Sequence, residues 1–201
     1  MNAPRTSAVR EFDYDRTVAL SDALFAIALT LLVLNLTVPA LIRPGAASFW
    51  HALAANSGEL LSYVVSFAVI GLFWTRHHAF FRGIRRVDGR LLGLNLLYLG
   101  IVAFLPFPTR ILGVYGDRPE AVAVYAVTIS LVSLVAIAMR LHARRAGLLE
   151  TGAAPDPIWH LVSVPVVFLL SIPLAFLSTT AAELSWLSIA ALERLSPRRA
   201  A

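Results

Sequence analysis

The chain contains no cysteine, and all 17 of its basic residues are arginine. Without cysteine there is no disulfide, no thiolate metal site and no thiol nucleophile, and the redox compartment stays open. Charge of either sign is scarce as well: 14% of the 201 residues are charged, against 58% hydrophobic. With a mean hydropathy of +0.75, that balance excludes a water-soluble globular domain and a disordered chain alike. No Gly-rich phosphate loop, metal-ligand cluster or Gly/Ser linker breaks the apolar runs, so a separate soluble domain is not expected. The formal charge of +5 orients loops in a membrane protein and is poor evidence for nucleic acid binding. Alanine, arginine and leucine richness without lysine points to a GC-rich bacterial genome.

What remains is a set of long uncharged intervals, and a spanning helix needs about 20 apolar residues. Ala23 to Ile42, Leu60 to Thr75 (extended back towards Ala52), Leu91 to Thr109 and Ala121 to Met139 each qualify. Between Asp156 and Glu193 only Glu183 is charged, and that interval holds two helices turning near Ser178 to Thr180. The expected fold is an all-α integral membrane protein with six transmembrane helices; the alternative is five spans and a short interfacial helix. The domain limits are an N-terminal tail 1–15, a helical domain 16–196 and a C-terminal tail 197–201. Six spans put fourteen arginines on one side and only Arg43, Arg110 and Arg118 on the other. Arginine excess marks the cytoplasmic side, so both termini are expected in the cytoplasm of a multi-pass protein of the bacterial plasma membrane. A cleaved signal peptide fits poorly, because the first apolar run is too long and starts with Asp22.

Polar residues inside such helices cost about 2.5–3.5 kcal/mol each if charged and central, so each asks for a reason. Ser21 and Asp22, five and six residues after Arg16, either cap the first helix or anchor it through a donor on another helix. Trp74 and His77 share a face at the end of the second span; they are interfacial aromatics, or an indole N–H and an imidazole aimed together at a carboxylate such as Asp22. Asn95, four residues into the third span, is expected to hydrogen-bond a neighbouring helix. Pro106 and Pro108 should break that helix, and Pro165 and Pro173 should bend the fifth. Along the first helix Ile27, Thr30, Leu31, Leu34 and Val38 fall on one face. No nucleophile–base pair or metal set is grouped, and His51, His142 and His160 sit at helix ends, so an enzyme is not expected.

In order and spacing these residues resemble the transmembrane protein 175 family of lysosomal and prokaryotic potassium channels. The resemblance rests on Arg16-x-x-x-Leu20-Ser21-Asp22, Trp74-x-x-His77-x-x-x-Phe81, Asn95 and Phe104-Leu105-Pro106-Phe107, with Leu20 standing where the family has phenylalanine. It implies a homotetramer of six-helix subunits around a pore lined by the first helix, passing potassium and other monovalent cations through the lipid bilayer, without cofactor or nucleic acid. It further implies that Ile27 forms the narrowest hydrophobic layer, with Thr30 beside it and Leu31 and Leu34 as further rings. Arg16, Ser21, Asp22, Trp74, His77 and Asn95 would hold the first helix in place. The alternative is a proton-coupled transporter or proton leak that uses Asp22 and His77.

Overall fold

The computed structural model describes residues 14–37, 50–51, 54, 56–150 and 158–189, all but a few of them helical. The elements used below are α1 (Tyr14–Val33), α2 (Ser57–Arg82), α3 (Gly89–Phe104), α4 (Pro106–Tyr115), α5 (Pro119–Arg145), α6 (Ile158–Ala175) and α7 (Thr179–Ser185). Four stretches are long and apolar enough to cross a membrane: α1, α2, α3 with α4 as one 27-residue run, and α5. The apolar part of α6, Val162–Ala175, is shorter. The expected turn near Ser178 is present, with Ser178 Oγ accepting from Ala181 N–H at 3.2 Å to cap α7. Glu183 lies inside α7. Both tails, Val38, and the intervals around Arg43 and Asp156 lie outside the described residues, as do the side chains of His160 and Glu193.

Two helix limits differ from the charge-bounded spans. α1 starts at Tyr14 and runs through Arg16 and Asp22, because a charged residue near a helix end reaches the interface, or a partner, without stopping the backbone. It ends at Val33, nine residues before Ile42. Short i to i+3 bonds from Leu34, Asn35 and Leu36 close the last turn, Asn35 Nδ2 donates to the Pro106 carbonyl at 2.6 Å, and Thr37 N–H donates to Glu59 at 2.8 Å. The third span breaks at Leu105, as its prolines demand. Pro106 has no N–H to give, so Leu105 N–H closes α3 on Val102 and Pro106 opens α4 at a position where proline costs nothing. α6, in contrast, runs on through Pro165 and Pro173.

Each helix buries one stripe at 3.6-residue spacing. In α1 it is Thr17, Ser21, Phe25, Ala28 and Leu32; in α2 it includes Ser62, Ser66, Ile70, Phe73 and His77; in α3, Leu91, Asn95, Tyr98 and Val102. α1 packs on α2 and α3, α2 on α4, α3 on α5, and α5 most extensively on α6. Lipid is as apolar as leucine, so burying these side chains supplies shape rather than hydrophobic drive. Register is fixed instead by close approach and by polar ties.

Both appear where α2 crosses α4. A Cβ on Gly113 would stand 2.6 Å from Ser62 Oγ and 3.0 Å from the Glu59 Cα, so only glycine admits the helices to this distance. Nearby, Thr109 Oγ1 lies 2.8 Å from Ser66 Oγ, which is 3.0 Å from Tyr125 OH. Three hydroxyls thus join α4, α2 and α5.

At the opposite end of the bundle, Tyr14 OH donates to the Phe81 carbonyl at 2.9 Å, and His142 Nε2 donates to Asp88 at 2.9 Å. α5 stops at Gly147, whose φ of 61° is the left-handed value that glycine allows. The chain then pairs Leu148 and Glu150 with Arg85 and Gly83 through bonds of 2.8 and 2.9 Å. These contacts gather Arg76, Arg82, Arg85, Arg86, Arg90, Arg144 and Arg145 towards one end, while Arg110, within α4, and Arg118, which precedes α5, belong to the other. A helix bundle with this charge asymmetry and these apolar lengths is a membrane protein.

Candidate functional site

The polar ties behind α1 run through two separate contacts. In the first, Trp74 Nε1 donates to Asp22 Oδ1 at 2.9 Å, with Trp74 still 40% exposed. In the second, fully buried, Ser21 Oγ donates to the Thr17 carbonyl at 2.8 Å, which leaves its lone pairs to accept from Asn95 Nδ2 at 3.1 Å. That fixes the amide orientation, so Asn95 Oδ1 must be the acceptor facing His77 Nε2 at 2.8 Å. His77 Nε2 therefore carries a hydrogen. The imidazole is stacked between Phe81 at 4.5 Å and Tyr98 at 5.3 Å, with Phe25 edge-on at 5.5 Å. Four aromatic and polar walls leave it one orientation.

Of the two readings of Trp74 and His77, a joint approach of indole and imidazole to one carboxylate is not what the structure holds. Trp74 reaches Asp22, but His77 turns to Asn95, because the buried amide needs an N–H donor and Asp22 lies on a more exposed part of α1. Arg16 is exposed in the first turn of the helix.

The other face of α1 is left uncovered by the described residues of its own chain. Ile27 is 50% exposed, Leu31 39% and Leu34 73%; Leu20, Ala23 and Thr30 are exposed with them. Leu34 belongs to the turn just past the helix rather than to the helix itself. Thr30 Oγ1 donates its hydrogen to the Ile27 carbonyl at 2.9 Å, so its oxygen lone pairs point outward as acceptors. One face of α1 is thus tied down by hydroxyl, amide and indole groups, and the opposite face presents Ile, Leu and one hydroxyl oxygen to whatever lies outside the subunit.

Three features escaped the sequence reading. The Ser66–Thr109–Tyr125 hydroxyl cluster joins residues far apart in the chain, and serine and threonine in apolar helices usually bond their own backbone, as Thr128, Ser130 and Ser133 do. Arg140, counted with the loop arginines, is 8% exposed; its guanidinium lies 5.0 Å over the Phe80 ring and donates to the Arg76 carbonyl at 3.2 Å. Its spacing of seven from the buried Ser133 was the available signal. His142, placed by the sequence only at a helix end, pairs with Asp88. Among the described residues no group of three or more His, Asp or Glu side chains is placed to hold a metal ion.

The profile of the endosomal/lysosomal potassium channel TMEM175 matches residues 16–106, from the first turns of α1 to the proline that opens α4. A potassium channel of Streptomyces collinus is 45% identical over 142 residues, covering 71% of this chain and 68% of that one. The human endosomal/lysosomal proton channel TMEM175 is 30% identical over 154 residues, 68% of this chain but 31% of that longer one. The crystal structure of a lysosomal potassium-selective channel TMEM175 homolog from Chamaesiphon minutus matches with a TM-score of 0.77 at 29% identity, covering 91% of this chain and 98% of that chain. On this identity, coverage and shared architecture, the chain belongs to the TMEM175 channel family.

Proposed function

We propose that the chain is one subunit of a passive, potassium-preferring cation channel in the bacterial plasma membrane, four copies of which surround a pore lined by α1. Each copy would cross the membrane six times with both termini in the cytoplasm, the side favoured by the arginine-rich end. The observation that carries this reading is the uncovered face of α1. One helix cannot enclose a path, so a pore on this face needs symmetric copies. Brought around an axis, Ile27 would form a narrow dry ring, with Leu31 and Leu34 above it as a hydrophobic gate. Thr30, its hydrogen already committed to its own helix, would offer oxygen to a partly dehydrated cation. Arg16, Ser21, Asp22, Trp74, His77 and Asn95 are positioning residues in this scheme; they hold α1 at its angle and do not touch the ion. The named potassium channels among its relatives support the choice of ion.

A second reading, a proton-coupled carrier or proton leak through Asp22 and His77, draws support from the human relative named a proton channel. The geometry favours it less: His77 has its Nε2 hydrogen on Asn95, and Asp22 is engaged separately by Trp74. The two readings part in liposomes. The channel predicts potassium flux that does not saturate at low millimolar concentration, and Ile27→Asn, which wets the ring, should let sodium follow potassium. Saturable flux that vanishes in Asp22→Asn, with folding and assembly intact, would favour the carrier.

A further inference from the structure

The buried tie behind α1 has a direction. His77 Nε2 donates to Asn95, Asn95 Nδ2 donates to Ser21 Oγ, and Ser21 Oγ donates to the Thr17 carbonyl, which can only accept. A carbonyl thus closes one end. At the other end stands His77 Nδ1, which carries a lone pair because the ring hydrogen is on Nε2. Its side chain is 5% exposed, and no described residue donates to it. A buried acceptor left unanswered is costly. Beside His77, between α2, α3 and α5, lies a cavity of about 30 Å³ lined also by Tyr98, Ser133, Ala136 and Arg140. A water molecule needs roughly 10–15 Å³ and two to four polar partners. The two hydroxyls face the cavity as acceptors, since Tyr98 OH already donates to the Phe73 carbonyl at 3.4 Å and Ser133 Oγ to the Ile129 carbonyl at 3.0 Å. Arg140 has the opposite character: a guanidinium carries five N–H donors, no acceptor and a charge at every pH. It is held against the cavity by the Phe80 ring and by its bond to the Arg76 carbonyl.

We propose that this cavity holds an ordered water that accepts from the Arg140 guanidinium and donates to His77 Nδ1, so that Arg140 is a further positioning residue for α1. The second hydrogen of the water goes to Ser133 Oγ or Tyr98 OH. Every link then runs one way, from a group that only donates to a carbonyl that only accepts, through α5, α2, α3 and α1, and bonds aligned in this way strengthen one another. The guanidinium sets the direction. It thereby decides which imidazole nitrogen bears the hydrogen and keeps Asn95 Nδ2 turned to Ser21. Arg140 lies beyond the family match at residues 16–106, so the water brings the second half of the chain into the support of α1. The inference does not depend on what passes along α1.

The test is nitrogen-15 magnetic resonance of the full-length protein labelled at histidine, at neutral pH, with the His77 signals assigned by their absence from His77→Gln. In the wild type Nε2 should bear the hydrogen, and Nδ1 should be bare and show a cross-peak to water. Arg140→Met, which removes the donor, should lose that cross-peak and show both tautomers. Ala136→Val, which adds methyl groups to the cavity lining and leaves Arg140 in place, should lose the cross-peak by expelling the water. Both variants should keep the wild-type circular dichroism and elution. A hydrogen on Nδ1 in the wild type overturns the proposal, and so does a wild-type Nδ1 without water contact; neither result needs a variant to fold. Nδ1 signals that stay as in the wild type in folded Arg140→Met, or in Ala136→Val, overturn it as well.

Discussion

Asn95 is the residue on which the buried tie behind α1 turns, since it accepts from His77 and donates to Ser21. Asn95→Ala strands both partners, and a buried polar group left without a bond costs about 1–3 kcal/mol. The thermal midpoint of the purified protein should fall accordingly, with Asn95→Asp or Asn95→Gln less damaging than alanine only if they still reach both partners; an unchanged midpoint would mean the amide is idle. That a lone amide in an apolar run needs a partner was legible from the sequence. Which partner was not, because Ser21, His77 and Asn95 come from three helices whose rotation only packing decides. Asp88 makes a separate case outside the membrane. Burial pushes its carboxyl up, but the Leu91 N–H at 2.7 Å, the His142 imidazole and the Arg90 N–H outweigh it and hold its pKa below the ordinary 3.8. A depressed carboxyl pKa means stabilisation that is complete above the ordinary carboxylate range and lost as pH falls through the lower folded value. Hydrogen exchange at the first turn of α3, corrected for intrinsic rates, should stay slow down to about pH 4 and rise below it; in Asp88→Asn it should already be faster at neutral pH.

At the scale of elements, the charge-bounded intervals located the spans, and the dyad of Pro106 and Pro108 located the break between α3 and α4. The limits of α1 were shifted because a charge was taken as a boundary. Asp22 sits within the helix, satisfied by Trp74, and Asn35, which looks like a tolerated polar residue in an apolar run, ends the helix by crossing to the Pro106 carbonyl. The closeness of α2 and α4 was equally hidden, since a glycine in an apolar helix announces nothing until its neighbour is known. Gly113→Ala tests it. The added methyl meets the Ser62 hydroxyl and the backbone of Glu59, so the helices must part, which should cost about 1–3 kcal/mol and lower the thermal midpoint. Gly93→Ala, where a Cβ meets nothing within 4 Å, is the control and should leave it in place.

For the whole molecule, the subunit is built asymmetrically around α1. One face of that helix is fixed by α2 and α3 through the two polar ties; the other carries its Ile, Leu and Thr side chains outward. The resemblance, carried by residues from Arg16 to Phe107, pointed to this half of the chain, and the family match covers residues 16–106, within that stretch. The second half was legible only as hydropathy, because its contributions, the Tyr125 hydroxyl and the buried Arg140, depend on contacts across the bundle. A chain without cysteine offers a direct test of the central claim. Single cysteines at Ile27, Thr30 and Leu31, and at the buried Phe25 and Ala28 as controls, are reconstituted in liposomes and treated with a cationic methanethiosulfonate reagent while potassium flux is recorded. Uncovered α1 faces around a pore predict block at 27, 30 and 31 and none at 25 and 28. Flux that continues undiminished through fully labelled Ile27→Cys would contradict the account.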